Sequence, residues 1–220
     1  RVAGGALEHA RKITEVCKSD LLRRLADGQP RLVQCRRDSF EYRGNEGKNK
    51  ALLANLRHGA GKMPGEDPKT WGILFSDLPE QMLGKYGEPS EAEWAIYIAL
   101  TLYAVHQQGN DPRTHSVSIE KISLGTAANS LVVKDGGDDD ARERVRKRFL
   151  QVAMATDIQS LAYYLRSFIQ LLKSNDIGLD YPMLAKDLFL YQNTKTMQNV
   201  RLRWGQDFYR ANSDDKSNNE

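Results

Sequence analysis

The chain has 220 residues, 40% of them hydrophobic, so it can build one large domain or two small ones and needs no disulfide scaffold. Its two cysteines, Cys17 and Cys35, belong to no Cys-x-x-Cys or Cys/His cluster, which indicates reduced thiols. No apolar run approaches the roughly 18 residues of a membrane span, and no signal-like stretch opens the sequence, so we expect a cytoplasmic protein without membrane contact.

Positive charge is unevenly distributed, although the net charge is only +3. Residues 141–210 contain twelve Lys or Arg against six Asp or Glu, and residues 36–62 contain seven against three. The rest of the chain is net acidic. Because the distribution of charge says more about partners than its sum, these two regions are the first candidates for contacts with an anion.

Helical periodicity dominates the sequence, and no alternating strand pattern with hairpin turns accompanies it. In the first part of the chain the pattern predicts helices over residues 8–26 and 48–57. The glycine- and proline-rich residues 59–68 are predicted to form a loop. The fold class is therefore predicted to be all-α.

The clearest element begins at Ser90, which stands three residues before Glu93 in the spacing of a capping box. A helix is predicted from Trp94 to Gln108. It is apolar nearly all round, which is typical of a helix at the centre of a bundle. The residues of one apolar row that we expect to be buried are Trp94, Ile98, Leu102 and Val105.

Residues 136–140, Gly-Gly-Asp-Asp-Asp, lack core-forming side chains and are predicted to be a flexible acidic linker. We expect two small helical bundles: an N-terminal sub-domain over residues 1–137, with an unassigned extension over 1–30, and a C-terminal bundle over 141–210, joined by residues 138–140. Helices of the second bundle are predicted over residues 141–155, 158–173, from 180 onward, and 195–209, with the short connections of antiparallel neighbours. The polar residues 211–220 are predicted to be a disordered tail.

Catalytic and metal-binding motifs are weak. None of the four histidines stands in a two-histidine helical motif or beside a nucleophile. Residues 59–62, Gly-Ala-Gly-Lys, resemble the end of a P-loop, but Leu56 and Met63 occupy the positions that need glycine and Ser/Thr. The acidic run at 138–140 is typical of a solvated loop. We expect no enzymatic activity, no metal and no cofactor.

Basic residues recur on three neighbouring predicted helices. In chain order they include Arg144, Lys147, Arg148, Arg166, Lys173, Arg201, Arg203 and Arg210. Arg166 and Lys173 are seven residues apart on one helical face, together with Tyr163 and Gln170. A single basic helical face is typical of a helix whose charges only contact solvent. Three such faces with few acidic residues at i,i+4 spacing favour a groove that follows phosphates.

Six sequence blocks, taken in order, form a recognisable pattern: Leu56–Gly59 with Gly61–Lys62, Leu100–Gly109, Ile122–Gly125, Arg146–Phe149, Leu179–Leu188 and Val200–Tyr209. They resemble conserved blocks of the CasB family, the small subunit of type I-E CRISPR surveillance complexes. The resemblance extends from Arg31 to Arg210. It departs from the family at Thr126, where members often have arginine after the Ser-Leu-Gly turn.

The resemblance implies an all-α protein of two bundles that takes part in antiviral defence and has no catalytic activity. It implies a place in the Cascade ribonucleoprotein, where the chain would help to hold the duplex of CRISPR RNA with target DNA and the displaced DNA strand of the R-loop. The implied partners are CRISPR RNA, both DNA strands, the other Cascade subunits and a second copy of the chain.

We expect most nucleic-acid contacts to come from eight basic residues: Arg57, Lys62, Arg144, Arg148, Arg166, Lys186, Arg201 and Arg203. Arg144 and Arg166 are chosen from helical faces alone, whereas the others lie in or beside the blocks. For Arg203 or Lys186, the alternative is an ion pair with Asp207 or Asp187.

Two other classes of function stay open. In a scaffold subunit, the basic faces would meet acidic neighbouring subunits, and the isolated protein would not bind nucleic acid with a steep salt dependence. A nuclease would need clustered carboxylates or histidines, which the sequence lacks.

Overall fold

The structure is a computed structural model that describes residues 46–75, 78–111 and 114–210. The predicted helix over 8–26, the extension over 1–30, both cysteines and the predicted tail lie outside these ranges. Within them the eight α-helices are α1 (Glu46–Gly59), α2 (Trp71–Phe75), α3 (Glu91–His106), α4 (Leu124–Lys134), α5 (Asp139–Ala153), α6 (Ile158–Ser174), α7 (Tyr181–Tyr191) and α8 (Thr194–Arg210). Two short 3-10 helices, Pro68–Thr70 and Glu80–Met82, lie between α1 and α3. The described ranges contain isolated bridges but no β-strand, which confirms the all-α prediction.

Helix α3 begins with the predicted capping box. The backbone N–H of Glu93 donates to Ser90 Oγ at 3.1 Å, and that of Ser90 donates to Glu93 Oε2 at 2.8 Å. These bonds satisfy two N–H groups that a helix N-terminus leaves without partners. The helix packs against α1, α6 and α7, which makes it the centre of the fold.

Three members of the apolar row on α3 are buried as predicted: Ile98, Leu102 and Val105. Trp94 is only partly buried and packs against the edge of the core. The reason is its position near the start of α3, where the helix borders an open groove instead of a neighbouring helix.

The acidic run predicted as a linker begins a helix instead. Asp138 is the N-cap of α5 and accepts a hydrogen bond from the backbone N–H of Ala141 at 2.7 Å. Asp139 and Asp140 lie in its first turn. Carboxylates at this end of a helix interact favourably with the free N–H groups and the helix dipole. Only the two glycines before Asp138 remain outside regular structure, both with positive φ.

The remaining C-terminal helices have nearly the predicted bounds. Asp157 caps α6 and Asp180 caps α7, each by accepting a backbone N–H three residues further on. The sequence pattern predicts no helix over residues 124–134. There α4 begins after the N-cap Ser123 and packs along α8.

Buried side chains from both sides of residue 138 belong to one connected hydrophobic core. Helix α3 contributes to it together with α6 and α7, and α4 contributes together with α8. The division of the chain into two bundles stays a prediction. In the part of the chain that the structure describes, no helix is both long and apolar enough to span a bilayer.

Candidate nucleic-acid interface

The end of α1 and the loop after it meet α6, and this contact brings together three of the predicted basic residues, Arg57, Lys62 and Arg166. The guanidinium of Arg166 donates from Nη1 to the backbone carbonyl of Ala60 at 3.1 Å, so it links the loop to α6. Lys62 is exposed two residues further along the loop. Arg57, in the last turn of α1, is partly exposed.

Lys173 extends this surface along α6. Partial burial lowers its pKa, and the neighbouring positive charge of Arg57 lowers it further. Arg57 and Lys173 are therefore close enough to repel each other, although 116 positions separate them in the chain. We call Arg57, Lys62, Arg166 and Lys173 the α1–α6 basic surface.

Arg144 and Arg148 lie elsewhere, on α5, beside a cavity of about 260 Å³ that Asp135 and Asn175 also line. Arg144 donates from Nε and Nη2 to Asp135 Oδ2 at 3.0 and 2.9 Å, so its charge is partly neutralised. Arg148 is exposed, and it forms no hydrogen bond or ion pair with the residues that the structure describes. Of these two arginines, Arg148 is the one available to an external anion.

Arg201 makes intramolecular contacts. Its Nη2 donates to the carbonyl of Ala155 at 2.9 Å, and its Nε and Nη2 donate to the hydroxyl of Tyr191 at 3.1 and 2.9 Å. The guanidinium carbon lies 5.2 Å from the centre of the Tyr191 ring. These contacts join α8 to α7 and to the segment that follows α5.

Arg203 forms an ion pair, as the alternative allowed, but with the buried carboxylate of Asp187 on α7 and not with Asp207 on its own helix. Burial raises the pKa of that carboxyl, and the charge of the partly exposed Lys186, on the same helix as Asp187, opposes part of the rise. Nothing in the structure tests the predicted nucleic-acid contacts of Arg201, Arg203 and Lys186, which stay predictions.

A groove of about 310 Å³ opens beside Arg166. The face of α3 that holds Trp94, Tyr97 and Ile98 lines it, together with α6 and the loop over residues 60–63. The hydroxyl of Tyr97 donates to the carbonyl of Gly59 at 2.9 Å and so fixes the loop against α3. On α6 the exposed ring of Tyr163 lines the opposite side.

Two features of this region were missed from the sequence. Lys173 is predicted to share a helical face with Arg166 but is not among the eight predicted contacts. The seven-residue spacing between the two residues was the signal that could have included it. The groove has no sequence signal, since it requires the loop over residues 60–63 to meet α3 and α6.

The histidine and glutamine at the end of α3 have structural roles. Nδ1 of the buried His106 lies 2.9 Å from the hydroxyl of Tyr181, and burial lowers the pKa of this histidine to about 4. Gln107 donates to the carbonyl of His115 at 2.7 Å and accepts from the N–H of Val117 at 3.0 Å. Among the described residues, no group of His, Cys, Asp and Glu side chains is arranged to hold a metal ion.

The family model for CRISPR-associated protein Cse2 matches residues 52–209. A search of curated protein sequences finds no match. Among solved structures, CasB from Thermobifida fusca is similar at 29% identity and a TM-score of 0.64, over 91% of this chain and 97% of that one.

Two further structures show the same fold. M. ruber CasB is 22% identical with a TM-score of 0.56, over 77% of this chain and 90% of that one. A chain from a CRISPR RNA-guided surveillance complex is 19% identical with a TM-score of 0.66, over 94% and 99% of the two chains. Since the family model covers most of the sequence, the resemblance to CasB is confirmed, and the chain belongs to the Cse2 family of CRISPR-associated proteins.

Proposed function

We propose that this chain is a non-catalytic subunit of a type I-E CRISPR surveillance complex and binds nucleic acid independently of sequence. In this role it stabilises the duplex of CRISPR RNA with target DNA and the displaced DNA strand. Family membership supports the proposal, as does the similarity of fold to a chain of an RNA-guided surveillance complex. Its partners are CRISPR RNA, both DNA strands, the other Cascade subunits and a second copy of itself, in the cytoplasm.

The observation that carries the proposal is that Lys62 and Arg166 line one groove, where Arg166 is fixed to the carbonyl of Ala60. Like charges held together raise the energy of the folded protein, and an anion bound between them removes that repulsion. Lys173 lies seven residues after Arg166, so the two cations are about 10 Å apart along the axis of α6. This row of cations suits a chain of phosphates better than a single small anion.

A surface that binds the phosphate backbone of nucleic acid fits the free-energy balance of forming an RNA–DNA duplex from a DNA duplex. Replacing a DNA duplex with an RNA–DNA duplex is nearly balanced in free energy, so protein contacts to the backbones help to decide the outcome. Lysine and arginine bound to phosphates supply affinity without reading bases. Arg148 on α5 is the second place where we propose such contacts. Arg144, Lys186, Arg201 and Arg203 are weaker candidates, because each lies beside or pairs with an internal partner.

The test reverses three charges of the α1–α6 basic surface with Arg57→Glu, Lys62→Glu and Arg166→Glu. The parent should bind single- and double-stranded nucleic acid with an affinity that falls steeply between about 50 and 200 mM salt. The variant should bind all sequences more weakly, and the slope of log K against log salt should flatten by about one unit per lost contact. Filter binding over a salt series measures both quantities.

A matched control reverses three exposed lysines away from this surface, Lys85→Glu, Lys121→Glu and Lys195→Glu. It changes the net charge equally and should keep the slope of the parent. Circular dichroism must show unchanged helix content in both variants. If the folded test variant binds like the parent, or the control loses as much as the test variant, this surface is not the site. The scaffold function, with basic faces on neighbouring subunits, then replaces the proposal.

A further inference from the structure

The groove beside the α1–α6 basic surface has properties that phosphate binding alone does not explain. Its α3 side is mainly apolar and includes Trp94, Tyr97 and Ile98. At about 310 Å³ it lies at the lower end of the range of roughly 300–1,000 Å³ for pockets that take small molecules. That size fits one flat ring system and excludes a helix or a duplex.

Aromatic rings line the groove where stacking is feasible. The side chain of Tyr163 is 69% exposed, unusual for a large ring at the edge of a core. It packs nearly perpendicular to Tyr164, with ring centres 5.5 Å apart and an angle of 74°, which holds it in place beside the groove. Trp94 is partly buried on the α3 side. Exposed aromatic rings beside an apolar groove suit a flat, polarisable ligand.

The groove is flanked by positive charge. Lys62 and Arg166 both line it, and Arg166 is anchored to the carbonyl of Ala60. Arg166 follows Tyr163 by one helical turn, an axial rise of about 4.5 Å. A ring stacked on Tyr163 would therefore have a phosphate attached to it within reach of the Arg166 guanidinium. A flat ring joined to a phosphate is the chemistry of a nucleotide.

We propose that this groove receives one unpaired base of a single-stranded nucleic acid. The base stacks on Tyr163, and the phosphate next to it binds Arg166 and Lys62. This inference rests on the proposed function and adds to it a preference for single strands, because a base inside a duplex cannot enter the groove. Stacking on an aromatic ring tolerates every base, so the site adds affinity without reading sequence.

The experiment compares two strands of equal length and charge with the full chain: oligodeoxythymidylate and a fully abasic deoxyribose-phosphate strand. The parent should bind the base-containing strand about tenfold more tightly, in line with the usual contribution of aromatic stacking. Tyr163→Ala should abolish this preference while the salt slope stays unchanged. Tyr163→Phe keeps the ring and should keep the preference. An oligouridylate arm shows whether RNA uses the groove as DNA does.

A second measurement follows the base directly. A strand that contains 2-aminopurine should lose fluorescence on binding to the parent and to Tyr163→Phe, and should keep it with Tyr163→Ala. Because Tyr163 is exposed on α6, these substitutions should leave the fold intact. Circular dichroism checks that the helix content is unchanged.

Equal binding of the base-containing and abasic strands by the parent would overturn the inference, as would a preference that survives in Tyr163→Ala. In both cases the proposed function stands if the salt slope still depends on Arg57 and Lys62. If the parent binds no strand at all, the proposed function fails with it. If an oligoglutamate of equal charge binds as tightly as oligodeoxythymidylate, the groove belongs to an acidic peptide and the inference is wrong.

Discussion

Arg203 on α8 donates a hydrogen bond to Oδ1 of Asp187 on α7, whose side chain is almost completely buried. The indole N–H of Trp204 donates to the other carboxylate oxygen at 2.7 Å. Burial raises the pKa of Asp187, and the charge of Arg203 opposes that rise. Two consecutive residues of α8 thus satisfy one buried carboxylate and hold α8 against α7.

Removal of Arg203 should therefore destabilise the protein. Arg203→Ala leaves the Asp187 carboxylate buried without its cation, and we expect the free energy of unfolding to fall by about 3–5 kcal/mol. Adding Asp187→Asn should restore much of the loss, because the neutral amide still accepts from Trp204. Urea denaturation measures both variants. Lys195→Ala on the same helix is the control and should change stability by less than about 0.5 kcal/mol. A fully stable Arg203→Ala protein would show that the pair has no structural role.

Arg201→Ala and Arg148→Ala should have opposite effects on stability and on nucleic-acid binding. Arg201→Ala removes donors from the Tyr191 hydroxyl and the Ala155 carbonyl and should cost about 1–3 kcal/mol of stability. Arg148→Ala removes an exposed charge and should leave stability unchanged while nucleic-acid binding weakens. Thermal unfolding and filter binding, applied to both variants, give the comparison. The reverse pattern, with a stable Arg201→Ala protein that binds weakly, would return Arg201 to the interface.

Gly125 permits the close contact of α4 and α8. A Cβ atom at this position would clash with the carbonyl oxygen of Trp204 and lie 2.8 Å from Cβ of Asp207. The first atom belongs to the main chain of α8 and the second is bonded to it, so neither can move aside alone. The two helices would therefore have to separate. Gly125→Ala should therefore lower stability by about 1–3 kcal/mol.

The matched control is Gly205→Ala on α8, where a Cβ meets nothing within 4 Å. That variant should gain about 0.5–1 kcal/mol, since alanine is the better helix former. Equal effects of the two substitutions in urea denaturation would contradict the packing argument.

Stability should fall in mild acid because of His106. Burial is the main reason that its pKa is lowered to about 4, the charge of Lys173 adds to the effect, and Asp176 opposes it. Since the pKa in the unfolded chain is about 6.5, the unfolded state binds the extra proton between these values. The contribution of neutral His106 is thus complete above about pH 6.5 and is lost as the pH falls toward 4, by about 2 kcal/mol between pH 7 and pH 5.

Urea denaturation at pH 7 and pH 5 measures this loss. His106→Gln cannot titrate, so its stability should change less over the same interval than that of the parent. The control His58→Gln replaces an exposed histidine and should keep the drop of the parent. An equal drop in the parent and in His106→Gln would assign the acid sensitivity to other groups.

Local signals in the sequence were sufficient for most helices. The capping box at Ser90 and Glu93 correctly marked where α3 begins, because a cap depends only on residues within one turn. The error at Asp138 to Asp140 has the same origin: an acidic run after two glycines suits a linker and a helix start equally well. Helix α4 was missed although Leu124, Ala127 and Leu131 have helical spacing.

The sequence by itself determined the all-α class, most helix bounds, the family resemblance and the set of cations available for an interface. Only the tertiary structure decided how those cations are used. Arg203 meets a buried aspartate, Arg201 meets a tyrosine and a carbonyl, and the charge of Arg57 acts on Lys173. Helices form through bonds between residues four apart, whereas ion pairs, repulsions and grooves form between helices whose positions depend on the packing of the whole core.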